Sequence, residues 1–135
     1  MKKVRVFIER GEDGTFGAYM PDDNGLDWSV VGDGATIADT IADFHEAYEE
    51  MKAYYQERGE AFEEVEFDFR YDVPSFLNYY KGLLTLAGLG RITGINERQL
   101  SQYVSGYRNP SAKTTKKIEA ALHTFGSELQ QVRFV

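Results

Sequence analysis

The chain has 135 residues, 42% of them apolar, and no cysteine. That length suits one ordinary domain or two small ones, and the lack of thiols excludes a disulfide framework and any thiolate site. The net charge of -7 is unevenly placed: residues 1–72 hold seven Lys/Arg against nineteen Asp/Glu, and residues 91–123 hold six against two.

Uniform acidity would argue against a nucleic-acid partner. The split argues instead for an acidic half and a separate basic surface. The opening MKKVRVFIERGED has no apolar run of signal length, and no apolar stretch approaches the roughly 18 residues of a membrane helix. A cytoplasmic location with no membrane partner is expected.

Taken in order, Val4, Val6 and Ile8 alternate with charged residues and predict a first strand, with Phe7 on its other face. GEDG (11–14) predicts a hairpin turn. A second strand spans 15–20, with Phe16, Ala18 and Met20 on one face, and Pro21 ends it. PDDNG (21–25) is a loop, and a third strand runs roughly over 27–32 with Trp28, Val30 and Val31. Thr36 caps a helix over about 37–57, with Asp39 closing the capping box. Its apolar stripe is Ile37, Ile41, Phe44, Tyr48, Met51 and Tyr55. Val65, Phe67 and Phe69 alternate with charged residues as a fourth strand. Pro74 marks a domain border. One helix on one face of a small sheet is an α+β layer, whose other face is solvated or covered by a partner.

No catalytic constellation emerges in this half. His45 sits beside the helix stripe and reads as structural. Asp13, Asp33 and Asp68 could meet around a divalent cation, but each has a simpler role in a turn or on a solvated strand. The GxG at 32–34 lacks the pattern of a phosphate loop or a dinucleotide fingerprint. A non-enzymatic protein without metal or cofactor is expected.

In the second half, Ser75 is positioned to cap a helix running to about Leu86. Gly88-Leu89-Gly90 opens a second helix that stops at Gly94. Asn96 caps a third, Glu97 to about Ser105, with Gln99 completing the box. Leu86, Leu89, Ile92, Ile95, Leu100, Tyr103 and Val104 recur at helical spacing. This is the layout of a helix-turn-helix, in which the second helix of the motif is offered to the major groove. Its outer face carries Arg98, Gln99, Ser101 and Gln102, with Asn96 at the cap. Arg reads guanine edges, and Gln and Asn read adenine edges. Beyond it, Arg108, Ser111, Lys113 and Thr114 are candidate phosphate contacts, Ser111 also capping the last helix. Operators are usually read by two-fold dimers, so a homodimer or higher homo-oligomer on double-stranded operator DNA is implied. The tail QQVRFV (130–135) reads as a short strand or a frayed end.

Within 88–125, Thr93-Gly94-Ile95-Asn96, Leu100-Ser101-Gln102-Tyr103 and Gly106-Tyr107-Arg108-Asn109-Pro110-Ser111 resemble the lambda-repressor-like (Cro/C1, XRE-type) helix-turn-helix family. Gly90 departs from the Ala usual there. The first half, through Phe16-Gly17-Ala18-Tyr19-Met20-Pro21, Gly25, Gly32-Asp33-Gly34-Ala35-Thr36 and a helix with Ala42, Ala47 and Met51, is similar to the HicB antitoxin family. Asn24-Gly25 stands where most members have Pro-Gly. The resemblance implies a truncated ribonuclease H-like βββαβ domain over 1–72 without an active site, a DNA-binding domain over 73–129, and a tail over 130–135. It further implies an antitoxin that masks a small, basic, mRNA-cleaving HicA-like toxin and represses its own operon. Asp22, Asp23, Trp28 and Asp33 are then the toxin-facing candidates, with a core role for Trp28 equally open. The alternative is a stand-alone helix-turn-helix regulator whose first domain senses a ligand or mediates oligomerisation.

Overall fold

The computed structural model describes all 135 residues. They form two compact units, Met1–Asp72 and Val73–Val135.

The first unit is a four-stranded sheet with one helix. Strand β1 (Lys2–Arg10) pairs antiparallel with β2 (Phe16–Tyr19), and β2 pairs antiparallel with β3 (Val31–Gly34). Between β1 and β2, the Asp13 carboxylate accepts from the amide of Thr15 at 3.0 Å and from its hydroxyl at 2.7 Å. Gly14 takes the positive φ of 84° that the turn requires. Helix α1 (Ile37–Glu57) follows, capped by Thr36, whose hydroxyl oxygen accepts from the Asp39 amide at 3.0 Å. Strand β4 (Val65–Tyr71) then lies beside β1, giving the order β3-β2-β1-β4.

Two expectations change here. The sheet is mixed rather than antiparallel, because β4 runs parallel to β1. After two hairpin reversals β3 already points the same way as β1. The 21-residue helix returns the chain along its full length, so β4 emerges in that direction again. The third strand also begins at Val31 rather than near 27. Pro21 lies beyond the end of β2, and the ladder begins only at the pair Tyr19–Val31. Trp28 and Val30 are buried outside the ladder.

The core of this unit lies between α1 and one sheet face. Val4, Val6, Ile8, Phe16 and Ala18 meet Ile37, Phe44 and Tyr48, all buried. Phe67 and Phe69 belong to this face too, edge-on to Phe44 at 4.9 and 5.5 Å. Thr40, also buried, donates its hydroxyl to the Thr36 carbonyl at 2.7 Å. The helix crosses β3 so closely that a Cβ on Gly32 would stand 2.6 Å from the Phe44 amide nitrogen, and one on Gly34 2.8 Å from that of Thr40. The GxG at 32–34 is therefore a packing device. On the opposite face only a narrow apolar strip remains. Phe7 and Tyr19 are 5.7 Å apart, and beside them Val31 is 65% exposed.

The second unit has four helices: α2 (Val73–Tyr80), α3 (Leu86–Thr93), α4 (Glu97–Ser105) and α5 (Ala112–Gln130). Leu77, Leu89, Ile95, Leu100, Tyr103 and Ile118 form its core. Each such side chain stabilises the fold by about 1.5–3 kcal/mol on burial. Ser75 is buried within the first turn of α2 instead of capping it. The fixed φ of Pro74 suits a first helical turn, so the helix starts ahead of it, at Val73. Helix α2 also stops at Tyr80 rather than near Leu86, and α3 starts at Leu86 rather than Gly88. Thr85 supplies the cap, its hydroxyl oxygen accepting from the Gly88 amide at 3.0 Å. Residues 131–135 leave α5 in a turn and then an irregular tail, not a strand.

Candidate nucleic-acid interface

The three-residue turn between α3 and α4 is fixed at each position. Gly94 adopts φ 74° and donates its amide to the Gly90 carbonyl at 2.8 Å, closing α3 with a left-handed cap. Ile95 is buried and anchors the turn in the core. Asn96 caps α4, its side-chain oxygen accepting from the Gln99 amide at 2.7 Å. The buried Thr93 hydroxyl donates to the Leu89 carbonyl at 2.7 Å and accepts from the Ile95 amide at 3.2 Å, so no polar group of the turn is stranded. Gly90 is needed for the approach: a Cβ there would sit 2.9 Å from the Ile95 carbonyl oxygen. Helix α4 is braced from behind by Asn78 of α2, whose amide donates to the Val104 carbonyl at 3.1 Å.

With Leu100 and Tyr103 buried, α4 turns Arg98 and Ser101 to solvent. Gln99 and Gln102 are half-buried. The Gln99 amide donates to the hydroxyl of buried Tyr103 at 2.6 Å. A bidentate contact with adenine needs both ends of a glutamine amide, so in this conformation Gln99 is a positioning group and Arg98 is the most freely presented base reader. This corrects the placement of both glutamines on the outer face. Asn96 is likewise committed to its cap through its oxygen.

The loop after α4 closes on Gly106 at φ 78°, and the Arg108 amide donates to the Gln102 carbonyl at 3.2 Å, tying the loop back to α4. Arg108 and Lys113 are exposed. Ser111 caps α5, accepting from the Thr114 amide at 3.2 Å and donating to the Thr114 hydroxyl at 3.0 Å. Free amides at a helix start, beside Lys113, form a site suited to a phosphate. Lys117 reaches to the turn, its Nζ lying close to Gly94. No Lys or Arg between 91 and 123 is held in an ion pair; the salt bridges Lys52–Glu64, Arg58–Glu60 and Arg70–Asp68 all lie in the first unit. One residue the sequence reading passed over is Tyr107, 81% exposed between Gly106 and Arg108. An aromatic following a helix-ending glycine, beside an arginine, was the available signal.

Residues 81–124 match the family model described as Helix-turn-helix. The chain carries a C-terminal helix-turn-helix domain. It is of the Cro/C1 (XRE) type that the motifs resemble, and the helix-turn-helix domain is the DNA-binding module of this protein. Comparison with curated proteins and with solved structures gives no match for the chain.

The toxin-facing candidates are not brought together. Asp22 and Asp23 are exposed in the loop that Asn24 organises, its side-chain amide donating to the Pro21 carbonyl at 2.6 Å. Asp33 is exposed on edge strand β3, its own amide donating to the Asp43 carboxylate at 2.9 Å. Trp28 is not a surface anchor: it is 6% exposed, stacked on Phe62 at 4.9 Å and beside Tyr48 at 5.7 Å. The loop after Pro21 folds it inward, where α1 and the 60–64 segment offer an aromatic pocket. Asp23 instead shares a shallow concavity on the sheet's open side with Lys3, Arg5, Phe7 and Asp68. A hydrogen bond and the charge of Arg70 hold the Asp68 carboxyl below its usual 3.8, with help from Lys3 and Arg5. The outer face of α1 presents Asp39, Asp43, Glu46, Glu49 and Glu50, all exposed. No helix is long and apolar enough to cross a membrane.

Proposed function

We propose that this protein is a HicB-type antitoxin: it binds and neutralises a small, basic, mRNA-cleaving toxin through residues 1–72 and represses its own operon through the helix-turn-helix domain. The observation that carries this reading is the charge division. A helix-turn-helix whose cations are uncompensated is joined to a unit carrying seven basic and nineteen acidic residues. An acidic surface is what a cationic ribonuclease would be steered to and held by. The ridge of carboxylates on α1 and the strip of Phe7, Tyr19 and Val31 supply charge and apolar area respectively. In this reading the chain acts by binding alone, in the cytoplasm, with no cofactor. Arg98 and Ser101 read base edges, while Arg108, Lys113 and the start of α5 contact phosphates.

Co-expression with the product of the adjacent small open reading frame tests the first arm. A stable complex that relieves growth arrest is expected; unimpaired toxicity with no complex overturns it. For the second arm, Arg98→Ala should weaken binding to the upstream region by about 5- to 150-fold at fixed salt, the range for losing one bidentate base contact. Unchanged specific binding would remove α4 as the reader.

A further inference from the structure

Helix α5 is longer than the domain it belongs to. Its early turns pack: Ile118 is 4% exposed, and Leu122 covers the same core. From Glu119 to Gln130 no residue is buried. The apolar stripe nevertheless continues past the edge of the bundle, through Leu122, Phe125 and Leu129 at helical spacing, and Leu129 is 55% exposed. A helical segment with no buried side chain is marginal by itself in water. Gly126 lies on this stripe, four residues after Leu122 and three before Leu129. It sits inside the helix, where glycine is disfavoured, and a Cβ there would meet nothing within 4 Å. Nothing in its own chain calls for that glycine, in contrast to Gly90.

Beside the stripe, α3 and α5 enclose an open groove of about 650 Å³ lined by Arg91, Ile92, Ala121, Phe125 and Glu128, among others. Arg91 and Glu128 border the same groove without pairing with each other. The tail beyond α5 adds exposed Val132 and Phe134, the latter 93% exposed.

We infer that this surface is a two-fold interface with a second copy of the chain, in which the α5 overhangs cross at Gly126 and each copy's tail lies across the other's α3–α5 groove. An isologous contact must be self-complementary. The groove meets that condition: it offers one unpaired cation and one unpaired anion, so Arg91 of one copy can face Glu128 of the other. The apolar residues it needs, Phe125, Leu129 and Phe134, come from the same segment. A glycine with open space around it is what a close crossing of two backbones requires. The inference goes beyond the antitoxin reading and holds whether or not a toxin exists.

The test is sedimentation of the full chain alone over a concentration series, without DNA or any partner. The protein should sediment at twice its 15.4 kDa mass at micromolar concentration. Leu129→Asp, at an exposed position, should raise the dimer Kd about a hundredfold, the loss typical of a central apolar contact, with an unchanged circular dichroism spectrum. Gly126→Leu should raise it at least about tenfold while leaving the monomer's helix content equal or higher. A wild-type chain that stays monomeric at tens of micromolar overturns the inference. So does a dimer indifferent to both substitutions, which would assign this surface to another partner. Because no DNA or toxin is present, failure here is distinct from failure of the proposed function.

Discussion

Asp68 shows how a single charge is set by its neighbours. It lies on the open sheet face, with the Arg70 guanidinium donating to its carboxylate at 2.9 Å. A carboxyl whose folded pKa lies below its unfolded value adds stability that is fully present above the unfolded value, and that is lost as pH falls through the depressed one. The window therefore opens at about 3.8 and extends downward. An NMR carboxyl titration should find Asp68 below 3.8 in the native protein, and Arg70→Met should move it up toward that value. An unchanged titration would remove Arg70 as the cause. The opposite case is Tyr19, whose hydroxyl donates to Glu9 at 2.8 Å and is held protonated to higher pH by that bond.

At the level of elements, α3 and the turn behind it give the sharpest prediction. Gly90→Ala would gain about 1 kcal/mol in helix propensity. It would also drive a Cβ to within 2.9 Å of the Ile95 carbonyl, and overpacking against rigid backbone costs about 1–3 kcal/mol. The clash should win. The expected result is a Tm lowered by several degrees for the C-terminal unit, although the substitution installs the residue the family usually carries. A raised Tm would mean that the turn yields without cost. This element also separates what was legible in the sequence from what was not. The Asn96, Ser111 and Thr36 caps and the stripe from Leu86 to Val104 announce themselves locally, each within four residues of its partner. Thr85 was passed over because Gly88 looked like a beginning, when its amide is the group being capped. The glycines at 32 and 34 were opaque for a different reason: they are explained by Phe44 and Thr40, which belong to another element.

For the whole molecule, the two units carry opposed charge: -12 over residues 1–72 and +5 over residues 73–135. The acidic unit should depress non-specific DNA binding by the basic one when screening is weak. Residues 73–135 alone should bind mixed-sequence DNA more tightly than the full chain near 0.01 M salt, where the Debye length is about 30 Å. The gap should narrow toward 0.15 M, where it is about 8 Å. Equal affinities at low salt would deny any electrostatic coupling between the halves. The charge division was readable from composition alone. The parallel placement of β4 and the inward turn of Trp28 were not, since both depend on which distant segment closes the sheet or the pocket. Sequence periodicity reports a face, and it does not report the neighbour that covers it.

Trp28 has one further consequence. It is the only tryptophan in the chain, and its indole Nε1 is buried without a hydrogen-bond partner. Its near-ultraviolet emission therefore belongs to the acidic unit alone, while the helix-turn-helix domain has only tyrosine and phenylalanine as intrinsic fluorophores. The molecule carries a built-in optical label on one half, set in an aromatic stack and shielded from water. The state of that half can be followed through a DNA titration without attaching a dye.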